Sequence, residues 1–121
     1  MLENPRLFEA GPDPFGRTWQ VRFRWHQTAI SIRHADTVDV KYELTHGDET
    51  VEKVVAVPHP ALLALAKKMG RPVTDPWVMR LAGAHILHMV STFEDFEKTL
   101  VTLTPEQMEE YAAAIAPEVH H

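Results

Sequence analysis

Two histidines three residues apart, His85 and His88, lie in the stretch TDPWVMRLAGAHILHMVSTFEDFEKTLVTL from Thr74 to Leu103. On a helix that spacing sends two neutral imidazoles in neighbouring directions, where they can share a divalent metal such as zinc. A catalytic zinc takes about three protein ligands, so His34, His59 or Glu94 has to converge on the pair, and spacing alone selects none of them. The two positions also differ in setting. His88 falls on the stripe of Arg80, Ala84, Ser91 and Asp95, the one helical stripe with appreciable polarity, whereas His85 falls among Val78, Leu81, Ala82 and Met89. The plainer reading makes His85 a core histidine with a carbonyl or carboxylate partner and His88 a solvated one, with no metal or other cofactor. Between these stands a half-buried His85 that titrates near neutral pH.

A second group is the run RTWQVRFRWHQ, in which Arg17, Arg22 and Arg24 lack an acidic neighbour and are interleaved with Trp19, Phe23 and Trp25. Arginine beside aromatic rings can clamp phosphate while bases stack, yet strict alternation sends the rings to the face opposite Arg22 and Arg24. The expectation is an outer face of Arg22 and Arg24, with Arg33, that meets an acidic protein partner or a small anion. The rings then belong to the core. The acidic run Glu94, Asp95 and Glu97 alternates with Phe93 and Phe96 and reads as a solvated helix face rather than an acid–base pair. The chain contains no glycine-rich phosphate loop, Asp-x-Asp pattern or nucleophile motif. With enzyme signatures missing, the leading expectation is a small non-catalytic binding or interaction module. The competing one is a small-ligand-binding protein or enzyme with a pocket between sheet and long helix, lined by Trp25, Tyr42, Trp77, His85 and His88.

The elements that must position these residues follow from periodicity. Trp19, Val21, Phe23 and Trp25 alternate with polar residues, the period of a half-buried strand. After His26 and Gln27 a second register places Thr28, Ile30, Ile32, His34, Asp36, Val38, Val40, Tyr42 and Leu44 on one parity. Strands of about 5–6 residues favour a turn at Ala35 and Asp36, with a weaker one at His26 and Gln27. His46 to Glu49 supply a hairpin turn that pairs Leu44 with Val51 and Val40 with Val55. The run from Val51 to Val57 is apolar on nearly both sides, which predicts a central strand or one covered by helix.

Pro60 to Met69 reads as a short helix, with Gly70 at a left-handed stop. Thr74, Asp75 and Pro76 open the long helix. Apolar steps of 3 or 4 through Val78, Ala82, Met89, Phe93, Phe96, Leu100 and Leu103 carry it on. That is about 27 residues, or roughly 40 Å at about 1.5 Å per residue, unless two helices join near Ser91. Thr104 and Gln107 form a capping box for a last helix that buries Met108, Tyr111, Ala112 and Ile115. The predicted class is α+β, an antiparallel sheet of about four strands (17–57) packed against three helices (60–69, 75–101 and 105–115). An N-terminal arm (1–16) precedes this single domain (17–116), and a frayed tail (117–121) follows it, whose His120 and His121 are excluded from any site.

Composition sets the outer bounds. With 121 residues, 45% hydrophobic and 24% charged, there is room for one core. A net charge of −5 disfavours nucleic acid as partner, since phosphate binding needs clustered cations. The absence of cysteine excludes disulfides and thiolate metal sites and fits a cytoplasmic setting. With no run of about 18 apolar residues, no membrane association is expected. A helix apolar over more than half its circumference needs cover on more than one side. The arm or the last helix can supply it, and so can a second copy through a two-fold interface. The expectation leans to a homodimer, with Phe93 and Phe96 as self-association or core anchors.

Overall fold

The computed structural model describes residues 6–30 and 36–115. In chain order the elements are β1 (Leu7–Ala10), β2 (Trp19–Ile30), β3 (Asp36–His46), β4 (Glu49–Pro58), α1 (His59–Met69), α2 (Asp75–Thr92), β5 (Leu100–Thr102) and α3 (Pro105–Ile115). The strands form one sheet in the order β1-β2-β3-β4-β5, antiparallel from β1 to β4 and parallel between β4 and β5. The class is α+β, with three helices as predicted. The sheet has five strands against the about four expected and is mixed rather than wholly antiparallel: Leu7–Ala10 of the arm joins at one edge by pairing with Trp19 to Arg22, Leu100–Thr102 joins at the other by pairing in parallel with Val54 to Ala56, and the runs expected as separate strands on either side of His26 and Gln27 are the one strand β2. Arg33, His34, Ala35 and the tail from Pro117 lie outside the described residues.

The hairpin from β3 to β4 has the expected register, Leu44 opposite Val51 and Val40 opposite Val55, and Gly47 takes the positive φ of 58° that its tight turn requires. Val38, Val40, Tyr42 and Leu44 are buried while the intervening residues are not, so the helices cover one face of the sheet. In β4 the buried run Val55, Ala56 and Val57 reflects a strand both flanked by β3 and β5 and covered by helix. The α1 stop is a left-handed Gly70, with the Arg71 N–H donating to the Ala66 carbonyl at 3.0 Å. Thr104 and Gln107 bond each other reciprocally, Gln107 N–H to Thr104 Oγ1 at 3.1 Å and Thr104 N–H to Gln107 Oε1 at 3.0 Å.

Two expectations are corrected. His26 and Gln27 form no turn: β2 runs unbroken through them, and the change of parity comes from a register shift between Phe23 and Trp25. One extra residue on one strand reverses the side-chain parity of all that follows. Phe23 therefore pairs with Tyr42, but Trp25 pairs with Lys41 and leaves the parity of Trp19, Val21 and Phe23.

The long helix also ends early, at Thr92, where Phe93 turns left-handed with φ 62°. The spacing of 3 and 4 beyond that point has other causes. Phe93 and Phe96 stack on one another in a turn, ring centroids 4.6 Å apart at 16°, and Val101 and Leu103 are buried at the two-residue period of β5 and its exit. Eight apolar residues of α2, from Trp77 to Val90, are buried within one chain together with Gly83 and His85, under the sheet and α3. The sheet–helix interface is a packed core of Val21, Val40, Leu44, Leu81, Ile86 and Met89.

Candidate binding cleft

The two histidines sit side by side on α2, rings stacked 6.0 Å apart, but each is engaged elsewhere. His85 is 5% exposed, and its Nδ1 lies 2.7 Å from the Tyr111 hydroxyl. Burial, with help from the His88 charge, pulls its pKa from 6.5 down to about 4 against the pull of Asp95 and Glu94, so the ring is neutral at pH 7. Burial likewise pushes Tyr111 up to about 12, aided by Glu110 and Glu94. His88 Nε2 meets Glu94 Oε1 at 3.0 Å in the open. Among the described residues no three His, Cys, Asp or Glu side chains converge to hold a metal. A pocket of about 330 Å³ with His85, Asp95, Thr102 and Gln107 in its wall lies beside the pair.

The arginines and aromatics singled out in the sequence are dispersed. Arg22 and Arg24 are exposed on β2 as expected, but Arg22 faces Glu43 across the strands, an acidic neighbour that the linear sequence hides. Tyr42 is a core residue whose hydroxyl donates to the Met79 carbonyl at 2.9 Å, and burial raises its pKa. Trp77 is 2% exposed at the start of α2. The side chain of Trp25 lies outside the described residues.

A larger concavity occurs where three elements meet. The arm, the open edge of β4 and the turn after α2 enclose a cleft of about 480 Å³, with Arg17, Glu49, Lys53, Phe93, Phe96 and Glu97 in its wall. The arm is held by Asp13, which accepts from the Phe15 and Arg17 backbone N–H groups at 2.9 Å each, from Arg17 Nε at 2.8 Å and from Trp19 Nε1 at 3.2 Å. Burial alone raises the Asp13 carboxyl. The hydrogen bonds from Arg17, Trp19 and Phe15 outweigh it and hold the pKa at about 2. Arg17 then lies over the rings of Phe15, Trp19 and Phe93 at 5.2, 5.2 and 5.7 Å, with its NH1 group 3.6 Å from Glu49.

The floor is Lys53, a lysine only 4% exposed. Its ammonium donates to the carbonyls of Phe96 and Lys98 and lies 4.6 Å from the Phe96 ring centroid. Burial lowers its pKa, partly offset by Glu97. A buried charge is tolerated only with such partners, and these fix the turn that forms the cleft wall. Above it, β5 pairs only with Val54 to Ala56, so among the described residues no strand pairs with the outer edge of Glu49 to Lys53. Val54 N–H bonds Thr99 and the Ala56 carbonyl accepts from Leu103, which puts the backbone groups of Glu52 and Thr50, two and four residues before Val54, on that same open edge.

Sequence reasoning missed Asp13 and Lys53. Lys53 did carry a signal: it shares the inward parity of Val51, Val55 and Val57 in an otherwise apolar strand. Comparison with known protein families, with curated proteins and with solved structures finds no match for this chain.

Proposed function

We propose that the protein is a binding module that receives an extended peptide segment along the free edge of β4. The observation that carries this reading is the coincidence of that edge with the cleft. An added strand draws affinity from main-chain hydrogen bonds and specificity from pockets for alternate side chains. Here the stacked Phe93 and Phe96 offer an apolar seat, and the exposed carboxylates of Glu49, Glu52 and Glu97 suit a basic residue beside it. The absence of cysteine supports a cytoplasmic setting.

A display library of linear peptides tests the reading. Glu52→Pro removes an edge N–H and places a ring in the way of an added strand, while leaving the ladder to β3 in place. Selected peptides are expected to lose about tenfold or more in affinity, equivalent to about 1.4 kcal/mol. Failure to select any peptide, or equal binding to a folded Glu52→Pro variant, removes the reading. A second copy is the competing occupant of this edge. The homodimer expected from the sequence thereby moves from the flank of α2, which one chain already covers, to β4, and native mass spectrometry counts the subunits.

The pocket beside His85 favours a second reading, a small-ligand site in which a neutral imidazole and the Tyr111 hydroxyl orient the ligand. A fragment screen that shifts the His85 ring resonances supports it, and a ring deaf to all fragments removes it.

A further inference from the structure

At the other end of α2 from the cleft, about 27 Å away at about 1.5 Å per residue, two buried donors lack partners. Trp77 is 98% buried by its 2% exposure, and neither its indole Nε1 nor Arg71 NH1 has a hydrogen-bond partner among the described residues. The two are neighbours: the Arg71 guanidinium carbon lies 4.5 Å from the centroid of the Trp77 ring. Contact with the ring face gives the guanidinium some compensation. It does nothing for the indole N–H, which projects from the ring edge. The remaining Arg71 bond is a long one, Nε to the Pro72 carbonyl at 3.3 Å.

Electrostatics at this place point the same way. Burial depresses the pKa of Arg71, and the nearby charge that acts on it is another cation, Arg80. A partly buried guanidinium whose charged neighbour is also positive is a poor arrangement for a protein by itself, since buried charge needs an opposite charge or hydrogen bonds to offset its lost hydration. An anion supplies both at once. Leaving a buried donor unpaired costs its full desolvation penalty, so the groups that satisfy it bind with that advantage. Arg71 lies in the connection between α1 and α2 and is itself partly exposed, although its NH1 group and the Trp77 Nε1 are both buried.

We propose that the connection from α1 to α2 holds one oxyanion group, a phosphate or a carboxylate, accepting from Arg71 NH1 and Trp77 Nε1. A carboxylate or a phosphate presents two oxygens to two separate donors, which chloride cannot. The site is independent of the peptide cleft and stands or falls apart from it.

The test uses the three tryptophans of the chain, whose indole N–H signals are separable by nitrogen–proton correlation spectroscopy, with Trp77→Phe assigning the relevant one. Inorganic phosphate, sulfate and acetate are titrated against chloride at constant ionic strength. The expected result is a saturable shift of the Trp77 signal with at least one oxyanion, while the Trp19 signal, held by Asp13, stays put. Arg71→Gln is expected to weaken that response at least tenfold, and Arg71→Lys to weaken it less. Response to phosphate and sulfate alone assigns a phosphate-type ligand, and response to acetate assigns a carboxylate. A Trp77 signal that ignores all three, that follows chloride equally, or that shows magnetisation transfer from a long-lived bound water instead overturns the proposal. Should Arg71→Gln fail to fold, the parent titration and Arg71→Lys still decide it.

Discussion

Phe93 sets two effects against each other, and replacing it with glycine and with alanine separates them. Its backbone is left-handed at φ 62°, a conformation that costs a residue with a β-carbon about 1–2 kcal/mol. Glycine removes that cost and returns about 0.5–1 kcal/mol of it as extra freedom of the unfolded chain. Against this stand the contacts of the ring. Phe93 is partly buried, stacks on Phe96, meets Phe15 edge-on at 5.2 Å and lies under Arg17. Half the burial of a phenylalanine is worth about 1 kcal/mol, two exposed aromatic pairs about 0.5 each and an exposed cation–π contact about 0.5. The ring is thus worth about 2.5 kcal/mol, and Phe93→Gly is expected to lose roughly 2 kcal/mol. Phe93→Ala loses the ring but keeps the strained backbone, so it falls about 0.5–1 kcal/mol below glycine. Urea unfolding at 25 °C reads both as shifts of the midpoint, about 1 M for Phe93→Gly at a slope of about 2 kcal/mol/M. The order, parent above glycine above alanine, is the sharp outcome. It inverts the helix rank of alanine over glycine. Alanine at or above glycine refutes the left-handed turn, and a glycine variant as stable as the parent refutes the packing of the ring.

Acid stability divides into two windows. His85 has a folded pKa of about 4 against 6.5 unfolded, so the unfolded chain takes up its proton first, and stability falls by up to about 3 kcal/mol as pH drops from 6.5 toward 4. His85→Gln flattens that limb in urea midpoints measured against pH, and an NMR titration of His85 centred near its ordinary value contradicts the buried ring. Asp13, with its carboxyl held at about 2 against 3.8, contributes stability present above 3.8 and lost as pH falls toward 2. Asp13→Asn is expected to remove that lower limb and to destabilise the protein at pH 7; a variant with the parental acid profile shows that the four donors do not hold the arm.

Much of the frame was legible because it is local. The β3–β4 register, the Gly70 stop and the Thr104–Gln107 cap each depend on residues within one turn or hairpin, and all three occur as read. The α2 terminus was not legible, because a left-handed phenylalanine leaves no mark in residue type and Phe93, Phe96, Leu100 and Leu103 continue the helical spacing by coincidence. The β2 irregularity was visible as a change of parity, but a bulge and a turn produce the same change. β5 is three residues long and exists only because the edge of β4 receives it.

By itself the sequence determined the α+β class, the helix-bearing half of the chain and the inner parity of β3 and β4, since these follow from the periods of 2 and 3.6 that backbone geometry imposes. The tertiary structure decided everything that joins distant residues. Asp13 collects its donors within six positions, but Lys53 finds the carbonyls of Phe96 and Lys98 some forty residues on, and Arg22 acquires Glu43. It also brought Arg71 and Trp77 into contact and left Arg71 NH1 and Trp77 Nε1 without a hydrogen-bond partner among the described residues. Charge and hydrogen-bonding capacity belong to the residue, but whether they are satisfied depends on what the fold brings within about 3 Å.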